Sequence, residues 1–172
     1  PTRGEIIQTC IVTEDRDGNL SEWSTKIRPR LQEVTYDRSA LKINGFKARE
    51  YIDAPIFEDV ADTIIEKLRW GPIVAHNASF DVKFINAELA LAEKQALPGD
   101  IAIDTLVLAR KSFPGSPASL DALCRRFNID NSARTLHGAL LESEILAEVY
   151  LELIGGRQPD FGLSVAYNTG ER

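Results

Sequence analysis

The stretch of residues 73–92 constrains the fold of this chain more than any other. It opens with Ile73-Val74-Ala75, a short apolar run typical of a buried strand, and the polar pair His76-Asn77 ends that run. The next residues predict a helix that Ser79 can cap. An apolar stripe at spacings of four and three marks the inward face of this helix: Ile85, Leu89 and Ala92.

Acidic residues stand at the N-terminal ends of two predicted helical faces. Asp81 lies four residues before Ile85, at the start of the inward face of the first helix. A second helix, running to Leu153, has its stripe at Leu146, Val149 and Leu153, and Glu142 falls on this stripe one turn before Leu146. A carboxylate aimed at a core costs free energy unless something pairs with it. A first-turn acid can equally reach water, where the helix dipole stabilises it by roughly 0.3–1 kcal/mol.

His137 lies in the turn before the second helix, where it can face the same cavity as the two acids. Two carboxylates and a histidine suit metal-assisted hydrolysis, because the acids hold divalent cations and the imidazole takes a proton from water near pH 7. The pattern therefore predicts a hydrolytic site around Asp81, Glu142 and His137. A zinc protein does not fit, since the two histidines and two cysteines do not cluster at ligand spacing.

Two segments of the chain resemble the DEDDh 3′–5′ exonucleases, and among them the proofreading epsilon subunits of bacterial DNA polymerase III. They are His76-Asn77-Ala78-Ser79-Phe80-Asp81 and the longer run from Leu136 to Leu151. The resemblance implies an α/β, ribonuclease-H-like exonuclease fold, with a mixed central sheet flanked by helices. It also implies two cations, Mg²⁺ or Mn²⁺, held by four acids. Asp81 and Glu142 would be two of these metal ligands, and His137 the general base.

The chain departs from the family's pattern in two places. The family carries Asp-x-Glu on a first, central strand, and this sequence contains no Asp-x-Glu. We therefore expect residues 1–156 to form an N-terminally incomplete exonuclease-like domain, with the strand supplied by preceding residues or by another chain. In addition, Glu142 stands where the family has Asp. The extra methylene shifts the carboxylate by about 1.5 Å, which matters because Mg²⁺ demands near-ideal octahedral ligation.

The same resemblance places four further residues near the end of the nucleic acid strand: Asn44, Phe46, Asn77 and Phe80. Phe46 would stack on or wedge between bases, and Asn77 would orient backbone in the site. For Asn44, Phe46 and Phe80, an ordinary structural role stays open as well. Asn44 and Phe46 can belong to an Asn-Gly turn and a core, and Phe80 can simply be a core residue.

The remaining sequence predicts further strands and helices. Asp17-Gly18 is a strong hairpin signal between strands at 5–13 and 20–27. Helices are predicted over 55–68, 105–111 and 118–127, and a short strand over 101–103. Asp104 is expected to cap the second of these helices, with support of the site as a weaker option, and Ser116 is expected to cap the third.

The composition narrows the classes of function. Twenty basic and 26 acidic residues give a net charge of −6, which excludes a basic sheath for gripping duplex DNA. An enzyme that holds only a few nucleotides at a strand end needs no such sheath. No signal peptide or run of 18 apolar residues is present, and neither cysteine has CxxC spacing. We expect a cytoplasmic protein without a membrane partner.

Residues 157–172 differ in composition from the rest and indicate a flexible tail or docking peptide. Within this tail, Gln158, Phe161 and Leu163 resemble the Gln-x-x-apolar-x-apolar peptides that bind bacterial sliding clamps. Such a peptide offers two apolar anchors and one amide, enough for weak binding that tethering strengthens.

Two functions stay open at this point. The first is a metal-dependent 3′–5′ exonuclease that removes nucleotides from the single-stranded 3′ end of DNA in proofreading or processing, with RNA not excluded. The second is a catalytically impaired exonuclease-fold interaction module of a replication or phage complex, which the missing Asp-x-Glu, Glu142 and the clamp-like tail favour. A DNA polymerase subunit and a sliding clamp are the expected protein partners.

Overall fold

The computed structural model of the protein describes residues 5–30, 47–69, 71–132 and 139–155. Its strands are β1 (Gln8–Glu14), β2 (Leu20–Lys26), β3 (Ile73–Ala75) and β4 (Ala102–Asp104). Its helices are α1 (Phe57–Leu68), α2 (Ala78–Leu91), α3 (Thr105–Ser112), α4 (Leu120–Phe127) and α5 (Ala139–Leu153), with a 3-10 turn at Ala48–Glu50. The predicted strands and helices are confirmed, close to their predicted bounds.

The strands form two small sheets. β1 and β2 are antiparallel, with Gln8 opposite Lys26 and Glu14 opposite Leu20. The hairpin turn predicted at Asp17-Gly18 is confirmed, with Gly18 at φ 82°, a left-handed conformation that favours glycine. β3 and β4 are parallel and place Ala75 beside Asp104. Within the described ranges no ladder pairing joins β1 to β3, so each strand keeps one edge open.

Two apolar clusters hold the helices against the sheets. In the first, α1 and α2 pack against the segment after β2, with Ile27, Phe57, Ala61, Ile64, Leu68 and Leu89 buried. In the second, α3, α4 and α5 pack together around Ala109, Leu120, Leu123, Cys124, Ile129, Ile145 and Val149. Helix α5 also lies against β1, β2 and β3. It therefore spans both sheets and ties the hairpin to the parallel pair.

A buried acid fixes α2 against the N-terminal segment. Glu88 is 3% exposed, and its Oε1 accepts a hydrogen bond from the N–H of Ile6 at 3.2 Å. Its Oε2 pairs with the guanidinium of Arg30, which also contacts Glu58 at 2.8 Å. Hydrogen bonds to charged groups contribute about 1.5–3 kcal/mol, so this network is a substantial anchor for the helix that carries Asp81.

Two predicted helix caps are wrong. Ser79 lies inside the first turn of α2, because the helix already begins at Ala78. The N-cap position belongs to Asn77, whose side chain makes no capping bond and whose backbone is left-handed at φ 71°. At α4 the cap is Ser119, whose Oγ accepts from the N–H of Ala122 at 3.2 Å. Ser116 therefore precedes the helix, because the chain stays extended through Ser119.

Candidate active site

The candidate site lies at the carboxyl ends of β3 and β4. The parallel register places Ala75, the last residue of β3, beside Asp104, the last residue of β4. His76 and Asn77 follow the first strand, and α3 follows the second. Side chains from two distant parts of the sequence are thus brought to one edge, as is usual for sites in parallel α/β units.

Asp104 binds the starts of two helices. Its Oδ1 accepts from the N–H of Leu106 at 2.9 Å, which confirms the predicted cap of α3. The same carboxylate also accepts from the N–H groups of Asn77 at 3.0 Å and Ala78 at 3.1 Å. These bonds satisfy N–H groups at the start of α2 that have no partner within the helix. Because both oxygens are engaged with backbone, Asp104 has a structural role at this edge.

His76 is held by a short chain of hydrogen bonds. Its Nδ1 lies 2.9 Å from the Oγ1 of Thr105, which is fully buried. The Thr105 hydroxyl donates to the carbonyl of Ala75 at 3.2 Å. These contacts hold the imidazole of His76 at the end of β3.

Asp81 lies in the first turn of α2, beside Asp104, and is exposed. The prediction that it lies on the inward face of this helix is therefore wrong, and it is a first-turn acid that reaches water. Burial of the carboxyl by the surrounding protein raises its pKa, and the negative charge of Asp104 raises the pKa further. A hydrogen bond from its own backbone N–H opposes these effects. Among the described residues no basic side chain forms an ion pair with Asp81. A bound cation would stabilise a carboxylate in this environment.

Phe80 presents an aromatic surface next to Asp81. Its side chain is 56% exposed, so the core role left open by the sequence is wrong. Its ring packs against Phe84 with 4.6 Å between the centroids. An exposed ring supported from one side is suited to stacking on a nucleobase, an interaction worth roughly 1–3 kcal/mol per base.

Glu142 lies in the first turn of α5, on a helix that contacts β3. The apolar part of the predicted stripe is confirmed, since Val149 is buried and Leu146 and Leu153 pack against the same cluster. Glu142 itself is exposed, and so the prediction that it faces inward is wrong. The buried residues of α5 begin at Ile145, which leaves the preceding turn outside the core.

Several predicted site residues lie outside the described ranges: His137, Asn44, Phe46, Gln158, Phe161 and Leu163. Their roles stay predictions. Across the described part of the chain, no three His, Cys, Asp or Glu side chains are grouped as a metal site. The roles of Asp81 and Glu142 as metal ligands also stay predictions.

Sequence reasoning missed Thr105, which links His76 to the backbone of β3. The only signal available was its position after a strand-ending aspartate, which looks like an ordinary helix start. Its contact with His76 depends on the register of β3 and β4, since the two residues are 29 positions apart.

Comparisons with known proteins identify relatives over most of the chain. The exonuclease (RNase_T) family model matches residues 1–150. The DNA polymerase III subunit epsilon of Rickettsia felis is 50% identical over 125 residues, covering 71% of this chain and 55% of that protein. The subunit epsilon of Escherichia coli (strain K12) is 44% identical over 124 residues, covering 70% and 51%. The chain thus spans about half the length of the curated relatives it matches.

Two solved structures share the fold. Exonuclease X in complex with 5′ overhanging duplex DNA matches with a TM-score of 0.66 and 25% identity, covering 92% of this chain and 89% of that one. A 3′-exonuclease that recognises the histone mRNA stem-loop matches with a TM-score of 0.62 and 16% identity, covering 88% and 83%. The second likeness concerns the fold alone.

These findings confirm the predicted exonuclease fold and the resemblance to epsilon subunits. None of the helices within the described ranges is long and apolar enough to cross a membrane. The family model matches residues 1–150, which is far more than half of the sequence. The chain belongs to the exonuclease (RNase_T) family.

Proposed function

We propose that the protein is a metal-dependent 3′–5′ exonuclease that removes nucleotides from the 3′ end of DNA, in proofreading or processing. Membership of the exonuclease family supports the reaction, and the identity to DNA polymerase III epsilon subunits supports DNA as the substrate. The observation that carries the proposal is Asp81. Its partly desolvated carboxylate lies at the carboxyl edge of β3 without a basic partner among the described residues.

The acids of this edge fit a hard divalent cation. Mg²⁺ and Mn²⁺ prefer carboxylate and water oxygens, and Asp81 and Glu142 would supply two of the carboxylates. When bound, such cations would stabilise the negative charge that develops on the phosphodiester during hydrolysis. The further acids would come from an Asp-x-Glu strand. The open edges of β1 and β3 lie under the same helix, α5, and offer that strand ladder partners on both sides.

Different side chains would carry out proton transfer and substrate positioning. His137 accepts a proton from the attacking water. The water oxygen bonds to phosphorus while the bond from phosphorus to the 3′ oxygen of the shortened strand breaks, and that oxygen is protonated. A mononucleotide leaves and the strand keeps a 3′ hydroxyl. Phe80 stacks on a base near the end, and Asn44, Phe46 and Asn77 position the terminal nucleotides.

Replacement of Asp81 tests the proposal. In Asp81→Asn the amide keeps the shape of the carboxylate and removes its charge, so the variant should release mononucleotides from single-stranded DNA on the order of 10²–10³-fold more slowly. Asp100→Asn, at an exposed loop position, is the matched control and should keep the wild-type rate. The assay uses the protein as its gene encodes it.

Equal rates for the Asp81→Asn and wild-type proteins would exclude Asp81 from the site. A folded wild-type protein that releases no nucleotide from DNA or RNA, with either metal, would favour the interaction module instead.

We also propose that the tail docks on a bacterial sliding clamp through Gln158, Phe161 and Leu163. The support is the sequence pattern, which presents one amide and two apolar side chains. Alanine replacement of both Phe161 and Leu163 should abolish binding to immobilised clamp, measured by surface plasmon resonance. The Ser164→Ala and Thr169→Ala variants serve as controls. Unchanged binding after loss of both apolar anchors would contradict the docking proposal.

A further inference from the structure

A cavity of about 530 Å³ lies between α3, α4 and the loop that joins them. Its wall includes His76, Leu106, Arg110, Ser116, Ser119 and Asp121; we call it the α3–α4 cavity. Its size falls within the range of about 300–1,000 Å³ that is typical of small-molecule and cofactor sites. None of the roles assigned so far to Asp81, Glu142 or His137 uses it.

The α3–α4 cavity adjoins the candidate site. His76, at one end of the cavity, directly precedes Asn77 in the sequence and is held by Thr105. Leu106, also in the wall, donates its N–H to Asp104 at 2.9 Å. The cavity therefore lies beside the edge of the sheet where β4 ends at Asp104.

One basic side chain in the wall of the cavity suits a phosphate. Arg110, in the last turn of α3, is exposed and forms no ion pair with any described residue. Lys111 follows it and Arg125 and Arg126 lie in the last turn of α4, but the wall includes none of these three residues. A guanidinium without an ion-pair partner can bind a phosphate through charge-assisted hydrogen bonds.

The remaining wall combines polar and apolar groups. Ser116 and Ser119 supply hydroxyls, while Leu106 and Leu120 supply apolar surface for a sugar or base. The acid in the wall, Asp121, is engaged by Asn131, whose Nδ2 donates to Oδ1 at 2.9 Å. A nucleotide presents all the matching features: a charged phosphate, a hydroxylated sugar and an apolar base face.

We propose that the α3–α4 cavity holds the DNA strand upstream of its 3′-terminal dinucleotide, with Arg110 bound to a backbone phosphate. This inference rests on the proposed exonuclease function. Arg110 lies five residues after Thr105, about 7.5 Å along α3 at 1.5 Å per residue. It therefore lies away from the end of β4, where a strand longer than its terminal nucleotides would reach it.

The test is the affinity for oligothymidylates of two lengths, dT2 and dT8, measured by fluorescence anisotropy in EDTA so that no strand is cut. Arg110→Ala should weaken dT8 binding by about tenfold, the loss of one charge-assisted contact, and leave dT2 binding unchanged. It should also reduce the slope of log affinity against log salt by about 0.7, the value for one phosphate on a single strand. Arg110→Lys should restore part of the affinity.

Lys111→Ala is the matched control, because it removes the same charge one residue away and Lys111 does not line the cavity. Equal losses for the Arg110→Ala and Lys111→Ala variants, or an equal loss on dT2, would overturn the proposal. If an oligoglutamate with the same charge as dT8 displaces labelled dT8 as strongly as unlabelled dT8 does, the proposal of a nucleic acid site is wrong and the cavity binds an acidic peptide equally well.

Nucleotide release by the wild-type protein keeps the two proposals apart. If the wild type degrades DNA and Arg110→Ala binds dT8 as Lys111→Ala does, the cavity assignment is wrong and the exonuclease function stands. If the wild type fails to degrade DNA while Arg110→Ala selectively weakens dT8 binding, the exonuclease function is wrong and the cavity still binds a strand.

Discussion

Asp81 and Asp104 lie at the same edge of the sheet and differ in what their oxygens contact. The carboxylate of Asp104 accepts three backbone hydrogen bonds from the starts of α2 and α3. Asp81 lacks a basic partner among the described residues, and burial raises the pKa of its carboxyl. The sequence predicted that Asp104 caps α3, but it placed Asp81 on an inward face although the side chain is exposed. It could not predict that Asp104 also caps α2, because that contact depends on the pairing of β3 with β4.

Loss of the Asp104 carboxylate should destabilise two helix starts at once. Each lost cap costs about 0.5–2 kcal/mol, so Asp104→Ala should lower the free energy of unfolding by about 1–4 kcal/mol, measured by urea denaturation. Asp104→Asn keeps one acceptor oxygen and should cost less. An unchanged urea midpoint for Asp104→Ala would show that the hydrogen bonds of Asp104 do not stabilise the starts of α2 and α3.

Glu142 should govern which metal supports catalysis. Shortening the side chain in Glu142→Asp moves the carboxylate back by about 1.5 Å, and Mg²⁺ tolerates misplaced ligands poorly. We expect Glu142→Asp to raise the nuclease rate in Mg²⁺ relative to the rate in Mn²⁺, in single-turnover assays. Glu142→Gln, which keeps the length and loses the charge, should be slow with both metals. A metal preference unaffected by either change would remove Glu142 from the ligand set.

At the scale of elements, hydrophobic periodicity and turn chemistry predicted the bounds of strands and helices. The same local patterns could not predict which elements pack against each other. Helix α1 was predicted over 55–68, and its apolar residues Phe57, Ile64 and Leu68 are buried. The Glu88 anchor of α2 escaped prediction, because its partner Arg30 lies 58 residues away in an irregular segment. The same limit applies to α5, whose contact with β1 is decided by tertiary packing.

The packing of α5 on β1 should be visible in the chemistry of Cys10. Burial raises the pKa of the Cys10 thiol, against a hydrogen bond with Ser143 of α5 that lowers it, and Glu22 and Glu144 raise it further. A raised pKa keeps the thiol protonated at neutral pH, so iodoacetamide should label Cys10 slowly, with a pH midpoint above the ordinary thiol value of about 8.5. Cys124 is fully buried and should stay unlabelled until the protein unfolds.

Ser143→Ala is the control for this contact, since it removes a group that lowers the pKa and should slow labelling of Cys10 further. Rapid labelling of Cys10 with an ordinary midpoint in the native protein would contradict the packing of α5 on β1.

At the scale of the whole molecule, the fold could be predicted from the sequence, because two short motifs resemble the exonucleases and the family model extends over residues 1–150. The metal-binding roles of Asp81 and Glu142 are predictions from the same motifs. The α3–α4 cavity could not be predicted from the sequence. Arg110 looks like an ordinary basic residue at a helix C-terminus, and it lines a cavity only because the loop before α4 folds back beside His76. Local patterns cannot encode such a long-range placement.

The most direct test of the exonuclease function is single-turnover degradation of 5′-labelled single-stranded DNA, first in Mg²⁺ and then in Mn²⁺, by the protein as its gene encodes it. We expect a ladder that shortens one nucleotide at a time from the 3′ end and disappears in EDTA. A folded protein that leaves the labelled strand intact with both metals would contradict the exonuclease function.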